Sequence, residues 1–276
     1  MKTLYVSDLD GTLLRSNETT SEYTNDILNR LTENGMLFSY ATARSYHTAR
    51  KVTKGLEAKI PLIIYNGAFI IDNVTGEILL SNYFEKDVAD VLDELIGCDI
   101  YPIVYAYIDG VEKFSFVPEK CNRGTLNFLD TRKGDARTNI VDSVEKLYEG
   151  NIFYITCIDE KEKLKPMYDK YKERYHCVYQ EDIYSKEQWL EIMPLAASKA
   201  KATEQLKEYL GCDRVVVFGD GMNDTDMFEI ADESYAVANA VEELKQIATG
   251  VIGSNNEDAV VKWLEEFGIG DRKDTC

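Results

Sequence analysis

The segment 4–14 constrains the fold of this chain more than any other stretch. A short apolar run ends in Asp8, Leu9 and Asp10, and a Gly-Thr pair follows. Side chains alternate between the two faces of an extended backbone, so Asp8 and Asp10 are predicted to leave the strand end on the same side. Two carboxylates at such close range repel each other unless a cation lies between them or they share a proton.

This pair of carboxylates has two interpretations. Oxygen ligands at a strand tip suit Mg²⁺, which keeps several waters and leaves coordination sites for a substrate phosphate. The alternative is an ordinary acidic turn, because Asp and Gly are also favourable turn residues. The residues farther along the chain decide between a metal site and a turn.

The composition is that of a globular protein with a large acidic excess. The chain has 276 residues, of which 45% are hydrophobic, and its formal net charge is −18. This excess argues against nucleic acid and membrane surfaces as partners, because both are anionic. No apolar run reaches the roughly 18 residues of a membrane span. The chain enters its first predicted strand almost at once, so we expect no targeting segment. We therefore expect a cytoplasmic protein whose anionic substrate is bound by a local positive site; the sequence does not predict an oligomeric state.

The cysteines and histidines argue against a zinc site. There are only two histidines, and the six cysteines show no Cys-x-x-Cys spacing. The cysteines are therefore predicted to be scattered reduced thiols, as in cytoplasmic proteins. They are Cys98, Cys121, Cys157, Cys177, Cys212 and Cys276.

Strand and helix patterns alternate through the first part of the chain. Apolar runs at 36–41 and 61–65 are predicted strands, and each is preceded by a stripe of apolar residues at helical spacing. This alternation is typical of a parallel sheet with covering helices. Ligands bind such sheets at the carboxyl ends of the strands, where Asp10, Thr42 and Asn66 fall.

The middle of the chain has a different pattern. Between residues 83 and 188, hairpin turns are mixed with helices, which is typical of an α+β unit with an antiparallel sheet. The first pattern then returns, with a β-branched strand at 214–218. The prediction is a discontinuous α/β core of residues 1–82 and 189–276 with an inserted domain of residues 83–188.

Four groups of polar residues stand at predicted strand or helix ends of the core. They are Asp8 with Asp10, Thr42, Lys199, and the segment Gly-Asp-Gly-Met-Asn-Asp at 219–224. In this order and context they resemble the motifs of the haloacid dehalogenase superfamily of phosphotransferases, and residues 8–14 match its first motif at every position. The long insert and the fourth motif are similar to the Cof-type sugar-phosphatase branch. The resemblance implies a Rossmann-like parallel-sheet core with an inserted α+β cap that closes over the site and selects the substrate.

The resemblance also implies separate roles for the carboxylates. Asp8 would be the nucleophile that forms an aspartyl-phosphate, and Asp10 would be the general acid and base. Mg²⁺ would be held by Asp8, Asp220 and a backbone carbonyl of Asp10. Asp224 would either support the metal or orient the lysine, and the sequence leaves this open.

A second set of residues is implied to bind the phosphate. Thr42 and Asn223 would donate hydrogen bonds to the phosphoryl oxygens, assisted by the backbone N–H groups of Leu9 and Ala43. Lys199 would neutralise charge that develops in the transition state.

The match departs from the family pattern at two motifs. The second motif is usually Thr-Gly-Arg, and here Ala43 replaces the glycine, which is acceptable only where the backbone φ is negative. Arg44 that follows it would either position the substrate or cover the edge of the core. Asn66 could belong to a plain turn, although the resemblance implies a position near the substrate. In the third motif Lys201 is a rival for Lys199; residues two apart on a helix cannot both face the site, and motif position favours Lys199.

The sequence thus predicts a Mg²⁺-dependent phosphatase of small phosphorylated metabolites, with sugar phosphates as the expected class. One alternative is a phosphomutase of the phosphomannomutase type, which shares this machinery but returns the phosphoryl group to a sugar hydroxyl. Another alternative is a protein that binds phosphate ligands without turnover. Substrate choice would depend on the inserted domain, in which the sequence shows no recognisable motif.

Overall fold

The structure is a computed structural model that describes residues 1–57, 59–181 and 187–268. Its strands are β1 (Thr3–Asp8), β2 (Leu37–Ala41), β3 (Pro61–Ile64), β4 (Phe69–Asp72), β5 (Ile78–Ser81), β6 (Ile103–Ile108), β7 (Val111–Phe116), β8 (Thr138–Ile140), β9 (Asn151–Asp159), β10 (His176–Glu181), β11 (Gln188–Met193), β12 (Arg214–Gly219), β13 (Glu233–Ala236) and β14 (Gly250–Val251). Its α-helices are α1 (Glu22–Glu33), α2 (Tyr46–Val52), α3 (Val88–Gly97), α4 (Arg123–Asp130), α5 (Lys161–Tyr171), α6 (Lys199–Leu210), α7 (Thr225–Ile230), α8 (Glu242–Ile247) and α9 (Ala259–Phe267).

The chain divides into two compact units. The first unit comprises Met1–Ser81 and Ala197–Cys276, and the second comprises Asn82–Ala196. The two units contain separate sheets, because the pairing of every strand stays within its own unit.

The first unit is built on one sheet in the order β14-β13-β12-β1-β2-β3-β4-β5. The strands from β14 to β3 are parallel, and β4 and β5 extend the sheet as antiparallel strands. The central strands β1 and β12 are buried almost throughout, as expected where helices cover both faces of a sheet. The predicted α/β class with a parallel-sheet core is confirmed.

The register of this sheet brings three chain segments to one edge. Asp8 at the end of β1 lies beside Ala41 of β2, and Ser7 lies beside Phe218 of β12. The residues that follow β2 and β12, which include Thr42 and Asp220, therefore flank Asp8. The strands that follow β1 in the sheet lie on both sides of it, with β2 and β3 on one side and β12, β13 and β14 on the other. The strand order therefore reverses at β1, and α/β sheets bind ligands at such a switch point.

The second unit has a sheet in the order β10-β11-β9-β6-β7-β8, antiparallel except for the pair β7 and β8. One face of this sheet packs against α3 and α5. Leu92 and Leu95 of α3 and Leu164 of α5 are fully buried there, which gives this unit a hydrophobic core of its own.

The second unit ends later than the sequence predicted. The predicted boundary between residues 188 and 189 lies within β11, whereas the structure assigns the chain to the second unit up to Ala196. The physical reason is strand pairing, since β11 hydrogen-bonds between β9 and β10 and cannot belong to the other sheet. The boundary depends on which strands pair with β11, and sequence patterns do not show this pairing.

No helix within the described ranges is both long and apolar enough to cross a membrane. The cysteines of the described chain carry free thiols, and Cys276 lies outside the described residues. Those with free thiols are Cys98, Cys121, Cys157, Cys177 and Cys212.

Candidate active site

The chain changes conformation directly after Asp8. Strand β1 ends at Asp8, and residues Leu9–Leu13 form a single π-helical turn in which Gly11 has a φ of 80°. The positive φ favours glycine, and a Cβ atom on Gly11 would lie 2.3 Å from Oδ2 of Asp220, so a larger residue would displace that carboxylate. The extended strand expected through Asp10 therefore ends at Asp8, so strand alternation does not determine the side on which Asp10 leaves the chain.

The two aspartates of the first motif have different surroundings. Asp8 is buried, whereas the side chain of Asp10 is 47% exposed and is bound by Arg44. The carboxylates that lie together are those of Asp8, Asp220 and Asp224, whose oxygens come within 4.8 Å of one another. The side chain of Asp10 lies outside this cluster; the predicted contribution of its backbone carbonyl remains a prediction.

Lys199 neutralises part of this acidic cluster. It is the first residue of α6, whose N-cap Ser198 accepts a hydrogen bond from the N–H of Lys201. The buried Nζ of Lys199 lies 2.5 Å from Oδ1 of Asp8 and 2.7 Å from Oδ1 of Asp224. Lys201 points away, where its exposed ammonium pairs with Glu204. The structure thus brings Lys199 to Asp8.

Both oxygens of Asp224 are engaged by the protein. Oδ1 accepts the hydrogen bond from Lys199, and Oδ2 accepts those of the backbone N–H groups of Asp220 (3.0 Å) and Gly221 (3.1 Å). Asp224 is completely buried. Of the two roles that the sequence left open, these contacts favour the orientation of the lysine.

Burial and like charge shift the ionisation of this cluster. Burial raises the pKa of Asp8 well above its ordinary range, although Lys199 opposes the rise. Burial and the nearby Asp224 raise the pKa of Asp220 to about 6. Burial alone would lower the pKa of Lys199, but Asp224 and Asp8 raise it above the ordinary lysine value. Lys199 is therefore a cation, and this one cation faces the carboxyl groups of Asp8, Asp220 and Asp224.

The donor set fits a hard divalent cation. Three carboxylates and one ammonium leave a net charge of about −2 when all are ionised, and the available side-chain donors of Asp8 and Asp220 are oxygens, as Mg²⁺ and similar ions prefer. Thr12, which the sequence analysis missed, donates from Oγ1 to Oδ1 of Asp220 at 3.0 Å and orients that carboxylate. The Gly-Thr pair that follows Asp10 in the first motif was the sequence feature that could have indicated this role of Thr12.

We expect Asp220→Asn to stabilise the metal-free protein at about pH 8. The pKa of Asp220 rises from 3.8 to about 6 on folding, so its stabilising contribution is complete below pH 3.8 and is lost as the pH rises through about 6. Asparagine does not ionise, so this variant avoids the cost of a charged carboxylate at this partly buried position. After solvent screening the gain in the free energy of unfolding should be about 1–2 kcal/mol. Urea unfolding in EDTA measures it.

The control for this experiment is Glu229→Gln, which removes an exposed carboxylate of α7 and should change the free energy of unfolding by less than about 0.5 kcal/mol. The gain from Asp220→Asn should also shrink at about pH 5, where the folded Asp220 is largely protonated. A loss of stability at about pH 8, or a gain that does not depend on pH, would contradict the assigned electrostatics.

The second motif follows β2 and therefore lies on the side of Asp8 that is opposite to β12 and Asp220. Thr42 is buried, and its Oγ1 accepts the N–H of Arg44 at 3.1 Å, which leaves its own O–H available as a donor. Ala43 is exposed and does not have a positive φ, so the replacement of the family glycine is accommodated. Asn66 is buried, and its backbone N–H donates to the carbonyl of Thr42 at 2.9 Å.

The turn 65–67 links the second motif to the lysine helix, a connection that the sequence analysis missed. Tyr65, Asn66 and Gly67 all have positive φ, at 51°, 51° and 98°. A Cβ atom on Gly67 would lie 2.4 Å from the carbonyl oxygen of Ser198, so only glycine lets this turn approach the start of α6. The Asn-Gly pair indicated a turn but not its contact with the residue before Lys199.

The remaining predicted phosphate-binding groups also belong to the first unit. Leu9 is buried in the π-helical turn directly after Asp8. Asn223 is exposed in the 3₁₀ turn Met222–Asp224, which follows β12 and precedes α7. Contact of Leu9, Thr42, Ala43 or Asn223 with a phosphate remains a prediction.

The first unit thus combines a Rossmann-like sheet with a carboxylate-based centre at the carboxyl ends of its strands. The family model described as haloacid dehalogenase-like hydrolase matches residues 5–264. This chain belongs to that family, as the resemblance of its motifs predicted, and the enzyme class is phosphoric monoester hydrolase.

Similar proteins span essentially the whole chain. The phosphatase YitU of Bacillus subtilis, named for 5-amino-6-(5-phospho-D-ribitylamino)uracil, is 26% identical over 279 residues, which cover 96% of this chain and 97% of YitU. The crystal structure of TM0651 from Thermotoga maritima is 27% identical with a TM-score of 0.76, and the match covers 97% of this chain and 98% of TM0651. The subclass IIB sugar phosphatase BT4131 shares the fold, with 19% identity, a TM-score of 0.73 and coverage of 98% of this chain and 100% of BT4131.

Proposed function

We propose that this chain is a Mg²⁺-dependent phosphatase that hydrolyses small phosphorylated metabolites, sugar phosphates in particular, through an aspartyl-phosphate on Asp8. The observation that carries the proposal is the buried position of Asp8 at the end of β1, with Lys199 at 2.5 Å and Asp220 beside it. The substrate class is supported by the phosphorylated ribityl compound in the name of YitU and by the sugar phosphatase of the same fold.

Asp8 is the proposed nucleophile. One carboxylate oxygen attacks phosphorus, the bond from phosphorus to the ester oxygen breaks, and the phosphoryl group is carried as an acyl phosphate until water releases it. Lys199 stays charged throughout because its pKa is raised, so it can balance the negative charge that accumulates during both steps. Asp224 keeps this ammonium directed at Asp8.

Mg²⁺ would be held by carboxylate oxygens of Asp8 and Asp220, with the backbone carbonyl of Asp10 as the further predicted ligand. When bound, it supplies positive charge that offsets the repulsion between a carboxylate nucleophile and an anionic phosphate. Thr12 fixes the orientation of Asp220 for this purpose.

Asp10 is the proposed acid and base. As an acid it gives a proton to the departing ester oxygen, and as the resulting carboxylate it takes a proton from the water that hydrolyses the acyl phosphate. Both proton transfers together return Asp10 to its starting form. Its partial exposure suits a group that must reach both the leaving oxygen and water.

Thr42 and Asn223 are the proposed donors to the phosphoryl oxygens, together with the backbone N–H groups of Leu9 and Ala43. The hydroxyl of Thr42 can serve in this way because its oxygen lone pair already accepts the N–H of Arg44. Donors held in advance of the reaction cost no reorganisation when charge develops.

A release assay tests the proposed function. Inorganic phosphate should appear from p-nitrophenyl phosphate and from a panel of sugar phosphates when Mg²⁺ is present, and EDTA should abolish its release. The ratio kcat/KM across the panel identifies the preferred substrate class. An isomeric sugar phosphate without free phosphate would indicate a mutase, and binding without either product would overturn the proposal.

A further inference from the structure

The guanidinium of Arg44 holds the carboxylate of Asp10 through both of its oxygens. Nε of Arg44 lies 2.9 Å from Oδ2 and 3.1 Å from Oδ1, and Nη2 lies 2.5 Å from Oδ1. This is the fork geometry that arginine forms with carboxylates, and it fixes direction as well as distance. Within the described part of the chain, the Asp10 carboxylate has no other hydrogen-bond partner.

The arginine is itself held in place from several sides. Its backbone N–H donates to Thr42 at 3.1 Å, and its carbonyl accepts the N–H of Tyr65 at 3.0 Å. Its side chain is only 24% exposed, and Nη2 lies 3.4 Å from Glu18. Arg44 therefore offers a fixed platform, in contrast to a long side chain that pairs freely in solvent.

Asp10 needs such a platform because its own backbone does not hold it. It sits in a turn with non-helical backbone angles rather than in β1, and almost half of its side chain is exposed. A carboxylate in that position would sample several rotamers in the absence of a partner. Proton transfer requires the carboxyl group to stay within hydrogen-bond reach of the reacting oxygen.

We propose that Arg44 is a positioning residue that orients Asp10 for proton transfer. The inference rests on the proposed function, in which Asp10 protonates the leaving oxygen. Oδ1 is held by both nitrogens, while Oδ2 has a single contact and is the oxygen left to exchange a proton with the ester oxygen and with water. The role in positioning the substrate that the sequence offered for Arg44 remains a prediction and is separable from this one.

Substrates with different leaving groups can distinguish two roles of Arg44, which are positioning of the acid and binding of the phosphate. The p-nitrophenolate ion departs from phosphorus without a proton, whereas the alkoxide of benzyl alcohol needs one. An arginine that orients the acid therefore matters for benzyl phosphate and hardly for p-nitrophenyl phosphate. An arginine that binds the phosphoryl group matters equally for both, because both substrates carry the same group.

The experiment compares kcat/KM of Arg44→Ala on these two substrates. This ratio reports only the steps up to departure of the leaving group, so hydrolysis of the acyl phosphate does not enter. We expect a loss of about 10²-fold for benzyl phosphate, at the lower end for acid–base catalysis, and a change within about 3-fold for p-nitrophenyl phosphate. Arg44→Lys should lie between wild type and alanine for benzyl phosphate, because an ammonium cannot engage both oxygens.

Two further variants complete the test. Arg50→Ala, which removes an exposed arginine of α2 that bonds Tyr46 and the carbonyl of Asn73, should leave both rates unchanged. Asp10→Asn should show the same selective loss as Arg44→Ala, and greater in size. If Asp10→Asn lacks this selectivity, the acid assignment in the proposed function fails.

Other outcomes bear on Arg44 alone. Suppose that Asp10→Asn selectively slows hydrolysis of benzyl phosphate. If Arg44→Ala then slows hydrolysis of both substrates equally, or leaves both rates unchanged, Arg44 does not position Asp10 and the inference is overturned. Arg44→Lys keeps the test valid if the alanine variant does not fold, because it retains the charge and most of the side-chain volume.

Discussion

Replacement of Asp8 by asparagine should lower kcat at least about 10⁴-fold on every phosphate ester that the wild type hydrolyses. An amide oxygen is a poor nucleophile, and this variant cannot form the acyl phosphate. The effect should be almost purely catalytic, since the amide oxygen of the introduced asparagine could still accept the hydrogen bond that Lys199 donates to Oδ1 of Asp8. Steady-state phosphate release from p-nitrophenyl phosphate is the measurement.

Stability and covalent trapping control this experiment. In EDTA the free energy of unfolding of Asp8→Asn should equal or exceed that of the wild type, because burial raises the pKa of Asp8 and makes its charge unfavourable. Acid quench of the wild type during turnover should leave a phosphoryl group on the peptide that contains Asp8, removable by hydroxylamine. Full activity of a homogeneous Asp8→Asn preparation would refute the nucleophile assignment. The exposed Asp226→Asn should behave as wild type.

Replacement of Lys199 by methionine should abolish turnover and cost about 3–5 kcal/mol of stability. The side chain of Lys199 is 3% exposed and its ammonium lies between Asp8 and Asp224, so its removal leaves two buried carboxylates without their cation. Urea unfolding in EDTA at about pH 8 measures the loss. At about pH 5 the loss should be smaller, because unpaired buried carboxylates take up protons more readily.

Lys201→Met is the matched control, two residues farther along the same helix. The side chain of Lys201 is 60% exposed and pairs with Glu204 on the surface, so the free energy of unfolding should change by less than about 0.5 kcal/mol. Activity should be unaffected. If Lys201→Met abolished turnover and Lys199→Met did not, the assignment of the lysine would be reversed.

The fold class followed from patterns that need no tertiary information. Alternating apolar runs and helical stripes predicted a parallel α/β sheet, and the sheet from β14 to β3 confirms it. Strands buried on both faces must be apolar throughout, so β12 is recognisable from its residues alone. The end of the inserted unit was misplaced because pairing between distant hairpins determines where β11 belongs.

The candidate site was predictable as a set of residues but not as an arrangement. Strand order brought Asp8, Asp220, Asp224 and Lys199 together, as the motif order implied. The separation of Asp8 from Asp10 was not foreseen, because a π-helical turn at Leu9–Leu13 replaces the expected extended strand. Gly11 adopts the positive φ of that turn beside the Asp220 carboxylate. The local sequence did not predict this turn or its contact with Asp220.

The sequence by itself determined the chemistry of the first motif: two carboxylates one residue apart after an apolar strand, a glycine, and the family to which they belong. Only the tertiary structure decided how these carboxylates differ, with Asp8 buried against Lys199, which is 191 residues away, and Asp10 held outside by Arg44. The reason is physical, since burial and ion pairing depend on which distant segments the register of the sheet brings together. Local residue patterns fix the strands, while the contacts between strand ends fix the ionisation and orientation of each acid.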